Sequence, residues 1–116
     1  MIPIRKEAAM VVIVFRTRLK DGIDEQALTA LGERMFEIAS AMPGFISYKD
    51  FAAADGENVS IVEFDSLETL IAWRDNPEHL AAQEHGRQKY FASYQVQVCA
   101  PVRSYRFDAS GRHVVD

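Results

Sequence analysis

The feature that most constrains this chain is that its predicted β-strands are apolar on both faces. Successive residues of a strand point to opposite faces, so a sheet with water on one side alternates apolar with polar residues. The first predicted strand breaks this rule, with Val11, Ile13 and Phe15 on one face and Val12 and Val14 on the other. Both faces of the sheet therefore need cover.

Two later strands repeat the pattern. Within 58–64, Val59 and Ile61 oppose Val62 and Phe64; within 45–51, the sequence predicts that Phe45 and Phe51 oppose Ile46 and Tyr48. A monomer seldom exposes an apolar patch of more than a few hundred Å². We therefore expect a homodimer in which a second copy covers the helix-free face. The alternative is that the terminal extensions cover it.

Local signals give the order strand, helix, strand, strand, helix pair, strand. The strands are predicted at 10–19, 45–51, 58–64 and 94–107, the last interrupted by Pro101 and able to reach across to a partner. The helices begin after Asp24, after Asp65 or Ser66 with Glu68 completing a capping box from Asp65, and after Asn76-Pro77. Two split βαβ units of this kind predict an α+β, ferredoxin-like βαββαβ fold with a four-stranded antiparallel sheet.

Length and composition fit a single domain. The chain has 116 residues, of which 48% are hydrophobic and 26% charged, as in ordinary globular proteins. We expect an N-terminal extension over 1–9, the domain over 10–107 and an irregular C-terminal tail over 108–116. The chain lacks an apolar stretch long enough for a membrane span or a signal peptide, which predicts a cytoplasmic location.

Charge and residue counts narrow the range of partners. A formal net charge of −4 argues against nucleic acid and against an anionic membrane surface, because both attract clustered basic residues. An RNA-recognition domain shares the strand order but needs exposed aromatics on a basic sheet. Cys99 is the single cysteine, and His79 and His85 lie about 240° apart on a helix, so we predict no disulfide, no metal site and no cofactor.

The third helix carries the residues that do not look like ordinary core. One arc of it combines polar and apolar side chains: His79, Leu80, Gln83, Arg87, Tyr90 and Phe91. Polar groups on a buried face need partners, and ligand pockets combine apolar walls with a few polar groups in this way. The pocket wall would be Trp73, with Tyr48 and Tyr94 reaching in from strands.

The chemistry of such a pocket depends on which group can move a proton. His79 is the natural candidate, because imidazole titrates near neutral pH. Each residue also has a simpler explanation. His79 would bond nearby backbone, Gln83 and Arg87 would pair with acids at the helix edge, and the aromatic residues would only pack.

Several stretches resemble the antibiotic biosynthesis monooxygenase family, namely Val62–Ser66, Trp73–His79, Gln83–Arg87, the Pro43–Phe45 turn and the Tyr94–Cys99 strand. The resemblance implies a dimeric α+β barrel of two sheets packed back to back. Members include cofactor-independent oxygenases that oxidise polycyclic phenols to quinones, in which the substrate supplies the electrons. It implies that Trp73, His79, Arg87 and Tyr90 line the pocket and that Arg87 steadies a phenolate.

The family also includes heme-degrading enzymes. Trp73 matches their pocket tryptophan, but Phe15 stands where they carry an asparagine, and Gln83 aligns with their proximal histidine. A non-catalytic small-molecule-binding or stress-related dimer is the other alternative. The sequence thus favours a cofactor-independent monooxygenase of a small electron-rich aromatic or quinol, with His79, Trp73 and Arg87 as catalytic residues. The expected substrate-binding residues are Tyr48, Gln83, Tyr90 and Tyr94.

Overall fold

The structure, a computed structural model, describes residues 9–114, and nine elements follow one another along them. They are β1 (Val11–Leu19), α1 (Glu25–Ala41), β2 (Phe45–Ala52), β3 (Asn58–Phe64), α2 (Leu67–Arg74), α3 (Pro77–Lys89), β4 (Phe91–Cys99), β5 (Tyr105–Asp108) and β6 (Gly111–Val114). The expected N-terminal extension over 1–9 lies almost wholly outside the described residues.

The first four strands form one antiparallel sheet in the order β2-β3-β1-β4, and β5 and β6 pair separately. This confirms the predicted α+β, ferredoxin-like fold with a four-stranded antiparallel sheet. None of the described helices is long and apolar enough to cross a membrane.

Helix starts follow the predicted caps with one exception. Asp24 accepts a hydrogen bond from the Ala27 N–H at 3.0 Å and begins α1, and Asn76 caps α3 with Pro77 at its first position. The predicted capping box from Asp65 is wrong. Ser66 caps α2 instead, accepting from the Thr69 N–H at 3.1 Å, while the Thr69 hydroxyl donates to Asp65 at 2.8 Å.

The turn between α1 and β2 depends on Gly44. Its φ is +83°, a conformation that other residues adopt only at a cost. A side chain there would also collide with Asp65 and Thr69. The end of α1 is thereby held against the start of α2, which fixes how the helices lie over the sheet.

A bulge corrects the predicted faces of β2. The register shifts between Phe45 and Ser47, so Phe45 lies opposite Phe64 and Tyr48 lies opposite Val62. Directly paired residues share a face of the sheet. Phe45 and Tyr48 therefore both face the helices, not opposite sides as predicted. The extra residue in a β-bulge shifts the alternation in this way.

The end of the chain also differs from the prediction. The strand expected at 94–107 begins earlier, at Phe91, because α3 ends at Lys89, and it stops at Cys99 before Pro101. The tail expected to be irregular contains β6, which pairs with β5 in a hairpin. Within this hairpin the Phe107 side chain is 81% exposed.

The hydrophobic core lies between the helices and the sheet. It is made of Val11, Ile13, Ala39, Val62, Phe64, Leu70 and Trp73. On the helix-free face, Val12 and Val14 of β1 lie beside Ile61 of β3, which is paired with Val14. These side chains are only half-buried. Both faces of the central strands are thus apolar, as the sequence predicts.

Candidate active site

A cavity of about 830 Å³ lies between the helices and the sheet. Most of its wall is apolar, contributed by every element from β1 to β4: Ile13, Phe15, Leu28, Met35, Val62, Leu70, Phe91, Val96 and Val98 are among its lining residues. This volume lies toward the upper end of the range of small-molecule sites, which is about 300–1,000 Å³. The cavity is large enough for a ligand of several fused rings.

Trp73 forms one wall of this cavity from the last turn of α2. Its ring stacks on Phe64 with centroids 5.6 Å apart and meets the edge of Tyr48 at 6.4 Å. The side chain is only 7% exposed. Among the described residues, no acceptor lies within hydrogen-bond reach of its Nε1. A buried indole N–H usually has a partner, so this donor is unusual.

His79 lies against Trp73, with ring centroids 4.2 Å apart, and lines the same cavity. The Asn76 cap holds it in the first turn of α3 by accepting from its backbone N–H at 3.2 Å. Its Nδ1 is 3.2 Å from the Arg74 carbonyl oxygen. A carbonyl can only accept, so in the neutral ring Nδ1 carries the hydrogen and Nε2 carries the lone pair.

Burial sets the protonation state of His79. It lowers the pKa of the imidazole below its ordinary value, although the hydrogen bond to the Arg74 carbonyl opposes this. His79 is therefore neutral at pH 7 and has a basic nitrogen. The simpler interpretation, that His79 bonds nearby backbone, holds for Nδ1, and it leaves Nε2 available.

Tyr48 and Gln83 line the cavity as well. Burial, reinforced by the charge of Asp50 and opposed by a hydrogen bond with Ser60, raises the pKa of Tyr48 to about 12. Its hydroxyl stays protonated in the physiological range and can donate a hydrogen bond. Gln83, half-buried on α3, adds an amide that can both donate and accept.

The structure does not bring Arg87, Tyr90 and Tyr94 into the cavity wall. Arg87 donates to Glu84 at 2.5 Å and to the Tyr94 hydroxyl at 3.0 Å. Tyr90 is buried, and its ring meets the edge of His85 at 5.4 Å. Four of the seven predicted site residues thus meet in one place, while Arg87 and Tyr94 bond to each other and Tyr90 packs against His85.

The rotation of α3 explains this division. Its buried residues are His79, Ala82 and Gly86, so this line of residues faces the interior. Gly86 allows Phe91 to approach, because a Cβ at that position would collide with the Phe91 ring. Leu80, which the sequence placed on the same arc as His79, does not belong to this line, since its side chain is 48% exposed.

Sequence reasoning missed several polar residues of the cavity. They are Thr17, Thr29, Glu33, Glu37, Asp50, Asn58, Ser60 and Arg74. Strand pairing would have found some of them, since Ser60 lies opposite Phe15, and Asn58 opposite Thr17. That signal needs the register of the strands, which one sequence does not supply.

Within residues 9–114, no group of three or more His, Cys, Asp or Glu side chains is placed to hold a metal ion. The described side chains of the cavity thus offer one neutral imidazole, hydrogen-bonding groups and three carboxylates on a mostly apolar wall.

Comparison with known proteins gives a consistent family signal. Residues 10–85 match the family model described as antibiotic biosynthesis monooxygenase. The uncharacterized protein YqjZ of Bacillus subtilis is 36% identical over 75 residues, which cover 65% of this chain and 66% of that protein. The alignment thus spans just under two thirds of that relative.

Solved structures share the fold. Rv0793 from Mycobacterium tuberculosis superposes with a TM-score of 0.72 and 26% identity, over 82% of this chain and 97% of that one. SnoaB from Streptomyces nogalater, a cofactor-independent oxygenase, gives a TM-score of 0.70 over 84% of this chain and 97% of its own. At 14% identity, that likeness concerns the fold alone.

Proposed function

Because the chain belongs to the antibiotic biosynthesis monooxygenase family, we propose that it is a cofactor-independent monooxygenase. Its substrate is a small electron-rich aromatic or quinol, bound in the cavity between the helices and the sheet. Family membership supports a monooxygenase in general. The cofactor independence and the substrate class are inferred from the side chains around the cavity.

The observation that carries this proposal is a neutral imidazole inside an apolar cavity. His79 and Trp73 line it together, and the Nδ1 contact to Arg74 leaves Nε2 as the base. A general base must be deprotonated at working pH, and burial keeps His79 so. Low polarity also strengthens each hydrogen bond to the substrate.

The reaction needs no external electron source if the substrate provides the electrons. His79 Nε2 accepts a proton from a phenol or from the activated CH₂ of its keto form. The resulting anion transfers an electron to O₂, the two radicals combine into a carbon-bound peroxide anion, and His79 returns the proton to give the hydroperoxide. Loss of water leaves a quinone carbonyl, so one oxygen atom enters the product and the other leaves as water.

The remaining side chains position the substrate. The Tyr48 hydroxyl stays protonated and can donate to a substrate oxygen, while Trp73 provides a flat wall for stacking. A substrate packed against the apolar wall would displace water from around the anion and slow its reprotonation. That SnoaB is a cofactor-independent oxygenase on the same fold is consistent with this chemistry.

We also propose that the protein works as a homodimer. The helix-free face is lined by Val12, Val14, Val59 and Ile61, which are half-buried, and by the exposed Phe51. A second copy packed on this face would remove it from water. The opposite face would then hold the cavity, and dimerisation would keep the sheet beneath the substrate rigid.

Oxygen uptake tests the proposal. Flavin-free protein, treated with a chelator, is incubated with anthrones, naphthols and quinols, and O₂ consumption is followed against a protein-free blank. We expect consumption with at least one substrate and a loss of at least tenfold in His79→Gln. Ligand detected by native mass spectrometry without turnover would favour the non-catalytic binding alternative and overturn the oxygenase.

A further inference from the structure

We infer that the cavity selects uncharged or cationic aromatic substrates and discriminates against those that bear a carboxylate. The inference rests on the proposed function for the aromatic class of the ligand. It goes further by assigning the charge that the ligand carries. It depends on the charged side chains along the cavity wall and on whether each has a partner of opposite charge.

Three carboxylates line the cavity, from Glu33 and Glu37 on α1 and from Asp50 on β2. Glu37 pairs with Arg34 at 3.3 Å. Neither Glu33 nor Asp50 has a cationic partner among the described residues, and Asp50 accepts only the Ser60 hydroxyl, at 2.5 Å. Two uncompensated negative charges therefore border the space that a ligand would enter.

Positive charge is scarce along the same wall. Arg74 is the one arginine that lines the cavity within residues 9–114, and no lysine does. It is bound to Asp75, with Nε 3.0 Å from the carboxylate. Arg87 lies outside the wall and is held by Glu84 and Tyr94. A ligand carboxylate would find no free guanidinium here to pair with.

The charge of Asp50 reaches into the cavity. It is one of the two causes that raise the pKa of Tyr48, after burial, since ionising Tyr48 would place a second negative charge nearby. The same field would act on a carboxylate that a ligand placed beside Tyr48. Tyr48 thus supports the inference in addition to the acids themselves.

Trp73 offers the ligand a hydrogen-bond donor in place of a positive charge. Its side chain is more than nine-tenths buried, lines the cavity and carries an N–H with no acceptor among the described residues. A neutral carbonyl or phenol oxygen suits such a donor without the desolvation cost of a full charge. An uncharged polycyclic phenol or its keto form therefore fits both the wall and the donor.

Binding measurements without oxygen test this inference separately from catalysis. Trp73 is the single tryptophan of the chain, so its fluorescence reports occupancy of the cavity. The probes are anthrone and anthrone-2-carboxylate under nitrogen, with calorimetry as a second readout. In about 20 mM salt we expect the carboxylate to bind on the order of tenfold more weakly, since each exposed charge adds about 1 kcal/mol of repulsion at close range.

Two comparisons separate charge from shape. In 1 M NaCl, where screening acts over about 3 Å, the difference should fall to roughly twofold. Asp50→Asn and Glu33→Gln should each reduce the difference in affinity at low salt. Glu68 is an exposed acid outside the cavity wall, so Glu68→Gln should leave the difference unchanged. If the difference in affinity between the two probes changes neither with salt nor in these variants, its cause is steric and the inference is overturned.

The outcomes also distinguish this inference from the oxygenase. Equal binding of both probes with O₂ uptake in air would overturn the charge selection and leave the oxygenase standing. A salt-sensitive preference for anthrone without any O₂ uptake would support the selection and count against the oxygenase. Failure of both probes to bind would contradict both.

Discussion

The imidazole of His79 lies against the indole of Trp73, with ring centroids 4.2 Å apart and ring planes inclined by 39°. The two residues come from different helices, joined only by Asp75 and the capping residue Asn76. The short connection sets their separation, and burial fixes the charge state of His79. We regard this pair as the chemical centre of the cavity.

The charge state of His79 predicts how stability depends on pH. Its folded-state pKa is lowered, so the unfolded chain binds the proton more readily. Stability should be complete above pH 6.5 and should fall as pH drops below that value toward the folded-state pKa. Urea unfolding of the wild type and of His79→Gln from pH 8 to 5 measures this effect. Only the wild type should lose stability at this site, and parallel curves would contradict a buried neutral imidazole.

Trp73→Phe removes the indole N–H and keeps an aromatic ring in the cavity wall. The smaller ring can still stack on Phe64, so we expect a smaller loss in the free energy of unfolding than truncation to alanine causes. Turnover should fall several-fold if the N–H holds a substrate oxygen. Trp73→Ala, by contrast, should destabilise by about 3–5 kcal/mol through the space it leaves. Thermal melts and O₂ uptake measured on the same samples provide the test, and full activity in Trp73→Phe would rule out a role for the N–H.

Two glycines in helices should respond oppositely to alanine. At Gly86 a Cβ would collide with the Phe91 ring, and such overpacking costs about 1–3 kcal/mol. At Gly32, on α1, a Cβ meets nothing within 4 Å, so Gly32→Ala should stabilise by about 0.4–1 kcal/mol. Equal effects in chemical denaturation would show that the Phe91 ring does not rest on Gly86.

The proposed dimer face can be disrupted by one charge. Ile61→Glu places a carboxylate beside Val14 and Lys49, where an interface would take both charges out of water at a cost. We expect sedimentation velocity at micromolar concentration to show a dimer for the wild type and a monomer for this variant. Leu80→Glu, which changes an exposed side chain on α3, is the matched control and should remain dimeric. A monomeric wild type would refute the dimer.

The sequence predicted the fold well because its signals were local. Alternating apolar residues marked the central strands, and Asp24 and Asn76 marked two helix starts as caps. The errors arose where pairing between separate strands determines the structure. The β2 bulge, which depends on the pairing with β3, put Phe45 on the same face as Tyr48. The pairing of β5 with β6 was also not visible in residue types alone.

The candidate site was predictable only in part for the same reason. Helical spacing placed His79 and Gln83 on one arc, and both line the cavity in the structure. The same arc included Arg87, but the rotation of α3 turned its side chain to Glu84 and Tyr94. The acids Glu33 and Asp50 were missed because they come from different elements that meet only in three dimensions.

Isotope labelling tests most directly whether the oxygenase reaction takes place in the cavity. It traces the oxygen atoms of O₂ with the cavity open and with the cavity filled. Flavin-free, chelator-treated protein is given anthrone under ¹⁸O₂, and the quinone is analysed by mass spectrometry against a protein-free blank. Val96→Trp fills the cavity from its half-exposed edge on β4, and Val102→Trp, fully exposed and outside the cavity wall, is the control.

If the oxygenase reaction takes place in this cavity, the wild type and Val102→Trp give one ¹⁸O atom per quinone, and Val96→Trp gives at least tenfold less labelled product. Quinone without label, or equal labelled product from all three proteins, would contradict a cofactor-independent monooxygenase acting in this cavity.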